Sequence, residues 1–395
     1  MASQQTPDDI KSRVLQWLKG TRYSAASLET ISGGTGNFIY RARLDKPLED
    51  GTTDVLVKHG EPYVASNPSM ALSLDRCKRI EEECLTAVTS LRVNADKPSG
   101  YNYAVRTPRC LLYDDESNTQ VQELLPNGAN LKAYVLENYP SPTPDSLRPQ
   151  CHQLGKVLAQ YITKFHRRSQ AEVEAWRTGP AGTPEPKLYA ALKTQNQMQG
   201  LKHMINFDWL QERVAMFPGI LEEAKDVFEK VKQLASEELK GAHGDLMPIH
   251  GDFWTGNILL PNSPIQEGAE IPIFVIDWEM SQLGVRNLDH GQMLCELYQL
   301  WLYKKIDAAL WMVQGYAEGL GEQTEEFAFR TAIQLGVHML SFGTIVPGWG
   351  TQDQVQDAAR HGRDIIVNAW NHNREWFEKS DLACLLSRTT VGKAA

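Results

Sequence analysis

A chain of 395 residues exceeds one ordinary hydrophobic core, so two domains or one two-lobed domain are expected. Its 42% hydrophobic and 23% charged residues are those of a globular protein. A net charge of −9 argues against a nucleic-acid partner, which would need a clustered basic face.

Cys77, Cys84, Cys110, Cys151, Cys295 and Cys384 form no CxxC pair and have no metal-ligand spacing, a usage that suits a reducing compartment. Met1–Asp9 is polar and acidic, unlike a signal peptide. No apolar run approaches the roughly 20 residues of a membrane span. A cytoplasmic protein with no membrane partner is expected.

In chain order, Ile10, Val14, Leu15 and Leu18 fall at helical spacing, with Asp8 or Asp9 as cap. Ser32-Gly33-Gly34-Thr35-Gly36-Asn37 then separates two strand-like runs, an arrangement in which backbone N–H groups can close over phosphates. A hairpin turn is the plainer reading of such a cluster. Asp54-Val55-Leu56-Val57-Lys58 is a β-branched run ending in a lysine placed to reach nucleotide phosphates.

Met70–Leu91 reads as a helix carrying Glu81-Glu82-Glu83, of which Glu81 is chosen to hold Lys58. Arg109–Tyr113 and Thr119–Leu125 read as a hairpin. That hairpin closes a small lobe of residues 1–124, with Glu123–Leu125 as the connection to a second lobe of residues 125–395. Leu154, Val157, Leu158, Tyr161, Ile162 and Phe165 begin a helical region. Helices follow through Gln292–Trp301, Ala308–Leu320, Thr324–Ser341 and Gln354–Lys379.

Within that second region lies His250-Gly251-Asp252-Phe253-Trp254-Thr255-Gly256-Asn257, then Ile271–Ile276 ending in Asp277. An Asp that accepts a hydroxyl proton, with an Asn and a second Asp that hold Mg²⁺, is a phosphoryl-transfer set. Mg²⁺ takes oxygen ligands and needs only one or two carboxylates besides substrate phosphates. A second triplet, His243-Gly244-Asp245, lacks the partner Asn and reads as loop.

These motifs resemble the aminoglycoside phosphotransferase and choline kinase superfamily. Protein kinases are less similar, since Asp277-Trp278-Glu279 replaces Asp-Phe-Gly and no Ala-Pro-Glu segment is present. Ile31-Ser32-Gly33-Gly34, Val57-Lys58-His59 and the long Asp277–Glu296 segment look most like methylthioribose kinases and fungal 4-hydroxytryptamine kinases.

The resemblance implies a two-lobed, protein-kinase-like α+β fold, with a small mixed β lobe and a mainly helical one. It implies an ATP- and Mg²⁺-dependent kinase of a small-molecule alcohol. Asp252 would be the base, with Asn257 and Asp277 the metal ligands. Lys58 would contact ATP phosphates and pair with Glu81, Ser32–Asn37 would cover the phosphates, and the backbone of Glu123–Leu125 would meet adenine. Asp289 would support the catalytic loop.

For the acceptor, Glu279 and Glu296 suit an amine-bearing alcohol, with Trp254, Trp301, Trp311 and Trp349 as aromatic walls. His338 is a further pocket candidate. Core packing is the plainer reading of each tryptophan. The alternatives are a methylthioribose kinase and, from another class, a catalytically silent nucleotide- or partner-binding member of the fold.

Overall fold

β-branched alternation around short turns builds the first part of the chain, and long apolar stripes build the rest. The computed structural model describes residues 6–31, 33–95, 100–346 and 348–390. The chain divides into two compact units, Met1–Thr89 with Thr107–Pro126, and Ser90–Arg106 with Asn127–Ala395. Ser90–Arg106, expected within the first lobe, groups with the second unit. The reason is a strand, Asn102–Arg106, that pairs in parallel with Glu270–Val275, placing Tyr103 opposite Ile271.

The first unit is an antiparallel five-stranded sheet in the order Ala25–Thr30, Phe38–Leu44, Asp54–His59, Thr119–Glu123, Cys110–Asp114. Ile10, Val14 and Leu18 of the Pro7–Leu18 helix pack on Tyr40, Val55, Val57 and Val121 from one sheet face. The helix cap is Thr6 rather than Asp8 or Asp9. Its hydroxyl accepts the Asp9 N–H while the Asp9 carboxylate accepts back from Thr6, with Pro7 in the first helical turn.

The expected Met70–Leu91 helix is shorter. Asn67–Ala71 pairs as a strand with Tyr63–Val64, and helical structure begins with a π-helical stretch, Arg76–Glu81, that runs into Glu82–Val88.

The second unit is mainly helical. Its Arg148–Thr178 and Asp307–Gly319 helices approach so closely that a Cβ on Gly155 would meet Met312 O at 2.0 Å, and one on Gly315 would meet His152 O at 1.8 Å. The Asn287–Lys304 helix is buried along almost its whole length. A hairpin of Ile258–Pro261 and Glu270–Val275 lies against this helical body. The expected Gln354–Lys379 helix breaks into Gln352–Trp370 and Arg374–Glu378, where His372 takes a positive φ of 52°. A sheet unit followed by a mainly helical one makes this an α+β chain of the expected protein-kinase-like kind.

Candidate active site

In the first unit, Lys58 is buried one residue before the end of its strand, and its ammonium donates to Glu81 Oε1 at 2.8 Å. Gln120 on the neighbouring strand donates to Glu81 Oε2 at 3.1 Å. Among the acidic triplet, Glu81 therefore makes the lysine pair, because it faces the sheet while Glu82 and Glu83 do not reach it.

Ser32 lies outside the described residues. Gly33, Gly34 and Thr35 are exposed, and Gly33 has φ +114°, a conformation that suits glycine. Gly36 and Asn37 anchor the turn from below. Arg76, fully buried, donates to Gly36 O and Asn37 Oδ1, each at 3.1 Å. At the far end of the sheet the Glu123 N–H donates to Arg109 O, and Leu125 is buried.

In the second unit, His250-Gly251-Asp252 is held from beneath by Asp289. Its two carboxylate oxygens accept the backbone N–H groups of His250 and Gly251, each at 2.9 Å, and His166 Nε2 donates to Oδ2 at 2.8 Å. Burial would raise the Asp289 pKa, but His166 and the His250 backbone outweigh it and hold the carboxyl below its usual range. Asp289 sits in the first turn of its helix yet spends its side chain on this loop rather than on a cap.

His250 Nε2 donates to Ile276 O at 3.0 Å, while its Nδ1 lies 3.3 Å from the Asp252 N–H. The neutral Nε2–H tautomer fits both bonds, and burial lowers this imidazole's pKa accordingly. Gly251 has φ +79°, and a Cβ there would stand 2.2 Å from Met280 O.

The Asp252 carboxylate meets four donors. Gln292 Nε2 at 2.8 Å and Lys202 Nζ at 3.3 Å reach Oδ1; Asn257 Nδ2 at 3.0 Å and Trp254 Nε1 at 3.1 Å reach Oδ2. Burial alone would raise its pKa. The Lys202 charge and the Gln292 bond outweigh burial, so the carboxyl stays below its ordinary range.

Asn257 Nδ2 also donates to Asp252 O at 2.9 Å, which turns its Oδ1 away from Asp252. Ile276 N donates to Asn257 O at 3.0 Å, and Ile258 pairs with Val275. The hairpin register therefore brings Asp277, in left-handed conformation with φ +66°, to the same end as Asn257. One amide oxygen and one carboxylate fit Mg²⁺, which keeps other positions for phosphate and water. Among the described residues no group of three or more His, Cys, Asp or Glu could hold a metal ion, so a His- or Cys-rich centre is not the match.

The acceptor candidates fare unevenly. Glu279 and Glu296 are both buried. Glu296 accepts from Thr255 Oγ1 and from His338 Nε2, each at 3.2 Å, so His338 and Glu296 belong to one cluster. Trp254 serves Asp252 directly. Trp349 is no open wall: it is buried and stacks on Tyr303, and Lys132 Nζ lies over its ring 3.7 Å from the centre. Trp311 is core, and Trp301 stacks on Tyr298 beneath Lys305.

The second triplet is peripheral, with His243 on Glu237 and Asp245 on Arg177. The sequence does not single out Lys202, Gln292 or His166 as site residues. Each is a single polar residue within a helix, and nothing local marks it.

A model of the phosphotransferase enzyme family, APH, matches residues 66–325. Phosphotransferase FrzJ of Cladobotryum sp is 28% identical over 384 residues, covering 94% of this chain and 95% of that protein. The 4-hydroxytryptamine kinase of Psilocybe cubensis is 20% identical over 356 residues, covering 88% and 89%. A GDP complex of an aminoglycoside 2'-phosphotransferase-IIIa mutant aligns with a TM-score of 0.47 at 12% identity, over 94% of this chain and 99% of that one. The matched model spans more than half of the sequence, and the chain belongs to the phosphotransferase enzyme family.

Proposed function

We propose that this phosphotransferase moves the γ-phosphoryl group of ATP to a hydroxyl of a small metabolite. Asp252 is the base, and Asn257 and Asp277 are the residues that would hold Mg²⁺. The observation that carries the reading is Asp252 itself: a half-buried carboxylate kept ionised and aimed by four donors. A carboxyl with a depressed pKa is a weak base. In a loose transition state, however, the attacking hydroxyl loses its proton late and orientation counts for more than basicity. Bound Mg²⁺ would neutralise charge on the phosphate oxygens. Lys58, kept in place by Glu81, is the residue for the phosphates of ATP, under the exposed Gly33–Thr35 turn.

For the acceptor, an amine-bearing alcohol fits the buried carboxylate of Glu296 on the helix turn after Gln292, and two relatives are named as kinases of 4-hydroxytryptamine. One observation favours a second reading, a neutral polyol such as methylthioribose. Lys132, whose pKa is lowered by burial and raised in part by Glu296, already lies on Trp349, so a cationic acceptor must share that charge or displace it.

ADP release is the test, with methylthioribose, choline, ethanolamine and hydroxytryptamines offered side by side. Turnover with an amine alone supports the first reading, and turnover with methylthioribose alone the second. Mg²⁺-dependent ATP binding without turnover across a wide alcohol panel would leave a silent nucleotide-binding protein and overturn the proposal.

A further inference from the structure

Asp252 is gripped by a residue from well outside the catalytic stretch. Lys202 sits on the Asn196–His203 helix, 50 residues upstream, with its ammonium 3.3 Å from Asp252 Oδ1. The same ammonium donates to Gln292 Oε1 at 2.8 Å, and Gln292 Nε2 donates to Asp252 Oδ1 at 2.8 Å. The three side chains close a ring around one carboxylate oxygen.

Lys202 is 2% exposed, and its stem lines a small cavity with Phe207, Ala235 and Leu288. Glu238 lines that cavity too, but both its oxygens are taken by Arg330 at 2.7 Å. Among the described residues Asp252 is the carboxylate within ion-pair reach of Lys202. An ammonium buried without a carboxylate costs several kcal/mol, so the pair specifies where both groups sit.

We propose that Lys202 is the positioning residue of Asp252: with Gln292 it fixes one carboxylate oxygen and balances the carboxylate's charge as the nucleotide's negative charge arrives. This rests on the phosphoryl-transfer reading above. Lys202 acts through Asp252 and is not assigned a contact with substrate. Losing it lets the carboxylate rotate away from the acceptor hydroxyl, and a misplacement of about 1 Å can cost on the order of 10²-fold in rate.

The test compares wild type, Lys202→Met, Lys202→Arg, Asp252→Ala and the Lys202→Met/Asp252→Ala double variant, with melting curves taken in parallel. Lys202→Met is expected to lose about 10²-fold in kcat with little change in KM for Mg-ATP. Lys202→Arg should recover part of that loss, and the double variant should be no slower than Asp252→Ala. If Lys202→Met does not fold, Gln292→Leu, which keeps the ion pair, should show a smaller loss confined to kcat.

Three results would overturn the proposal: a Lys202→Met enzyme as fast as wild type, a KM for Mg-ATP rising in step with the loss, or a double variant slower than Asp252→Ala by the full Lys202→Met factor. A wild type that releases no ADP with any acceptor removes the phosphoryl-transfer reading itself. Normal turnover in wild type and Lys202→Met alike removes only the role of Lys202.

Discussion

His250 and His290 are buried imidazoles whose pKa values burial depresses, that of His290 well below its ordinary 6.5. As pH falls through about 6.5, the unfolded chain takes up protons that the folded chain refuses. Folding stability should therefore be flat above that pH and fall below it, towards the lower folded values. Melting temperatures from pH 7.5 to 5.5 should show this slope, shallower in His290→Gln; an unchanged slope would remove His290 as a cause. Glu81→Ala would break the buried Lys58–Glu81 ion pair, and breaking a buried pair from one side costs about 3–5 kcal/mol. It should lower the melting temperature and raise KM for Mg-ATP. Asp252, Asn257 and Asp277 were legible in the sequence because their geometry comes from two adjoining local motifs. Lys202 and Gln292 were not, since their meeting with Asp252 is purely tertiary. Trp349 misled for a related reason: nothing in the pattern reveals that Tyr303 and Lys132 cover it.

The His250–Asp252 loop is an element held from outside by another element. Asp289 →Ala would strand the His250 and Gly251 N–H groups and His166 in a buried site, at a cost of about 3–5 kcal/mol, and should lower kcat by letting the loop relax. A variant with wild-type melting behaviour would contradict that support. Gly251 →Ala meets both a positive φ and the Met280 carbonyl, so it should destabilise by about 1–3 kcal/mol. At the helix pair, Gly315 →Ala should cost stability while leaving KM for Mg-ATP unchanged, because His152 O fills the space a Cβ needs. Strands and long amphipathic helices were readable from period alone. The 70–91 region was not, because Asn67–Ala71 pairs with a two-residue strand that leaves little hydrophobic signature.

Across the whole molecule, the family model begins at residue 66, yet Lys58 and the glycine turn lie before it, so the roles of those two features rest on their own geometry. Mg-ATP that binds only the folded chain should stabilise it by about 2.7 kcal/mol at 100 times its Kd, and removing Mg²⁺ with EDTA should abolish most of the melting shift. The most direct measurement is ADP release by Asp252→Asn with the best acceptor from the panel, beside wild type. With Asp252 as the base, Mg-ATP should stabilise the variant as it does wild type, while ADP release should fall on the order of 10³-fold. A variant turning over within about tenfold of wild type, a loss well short of general-base catalysis, would contradict it.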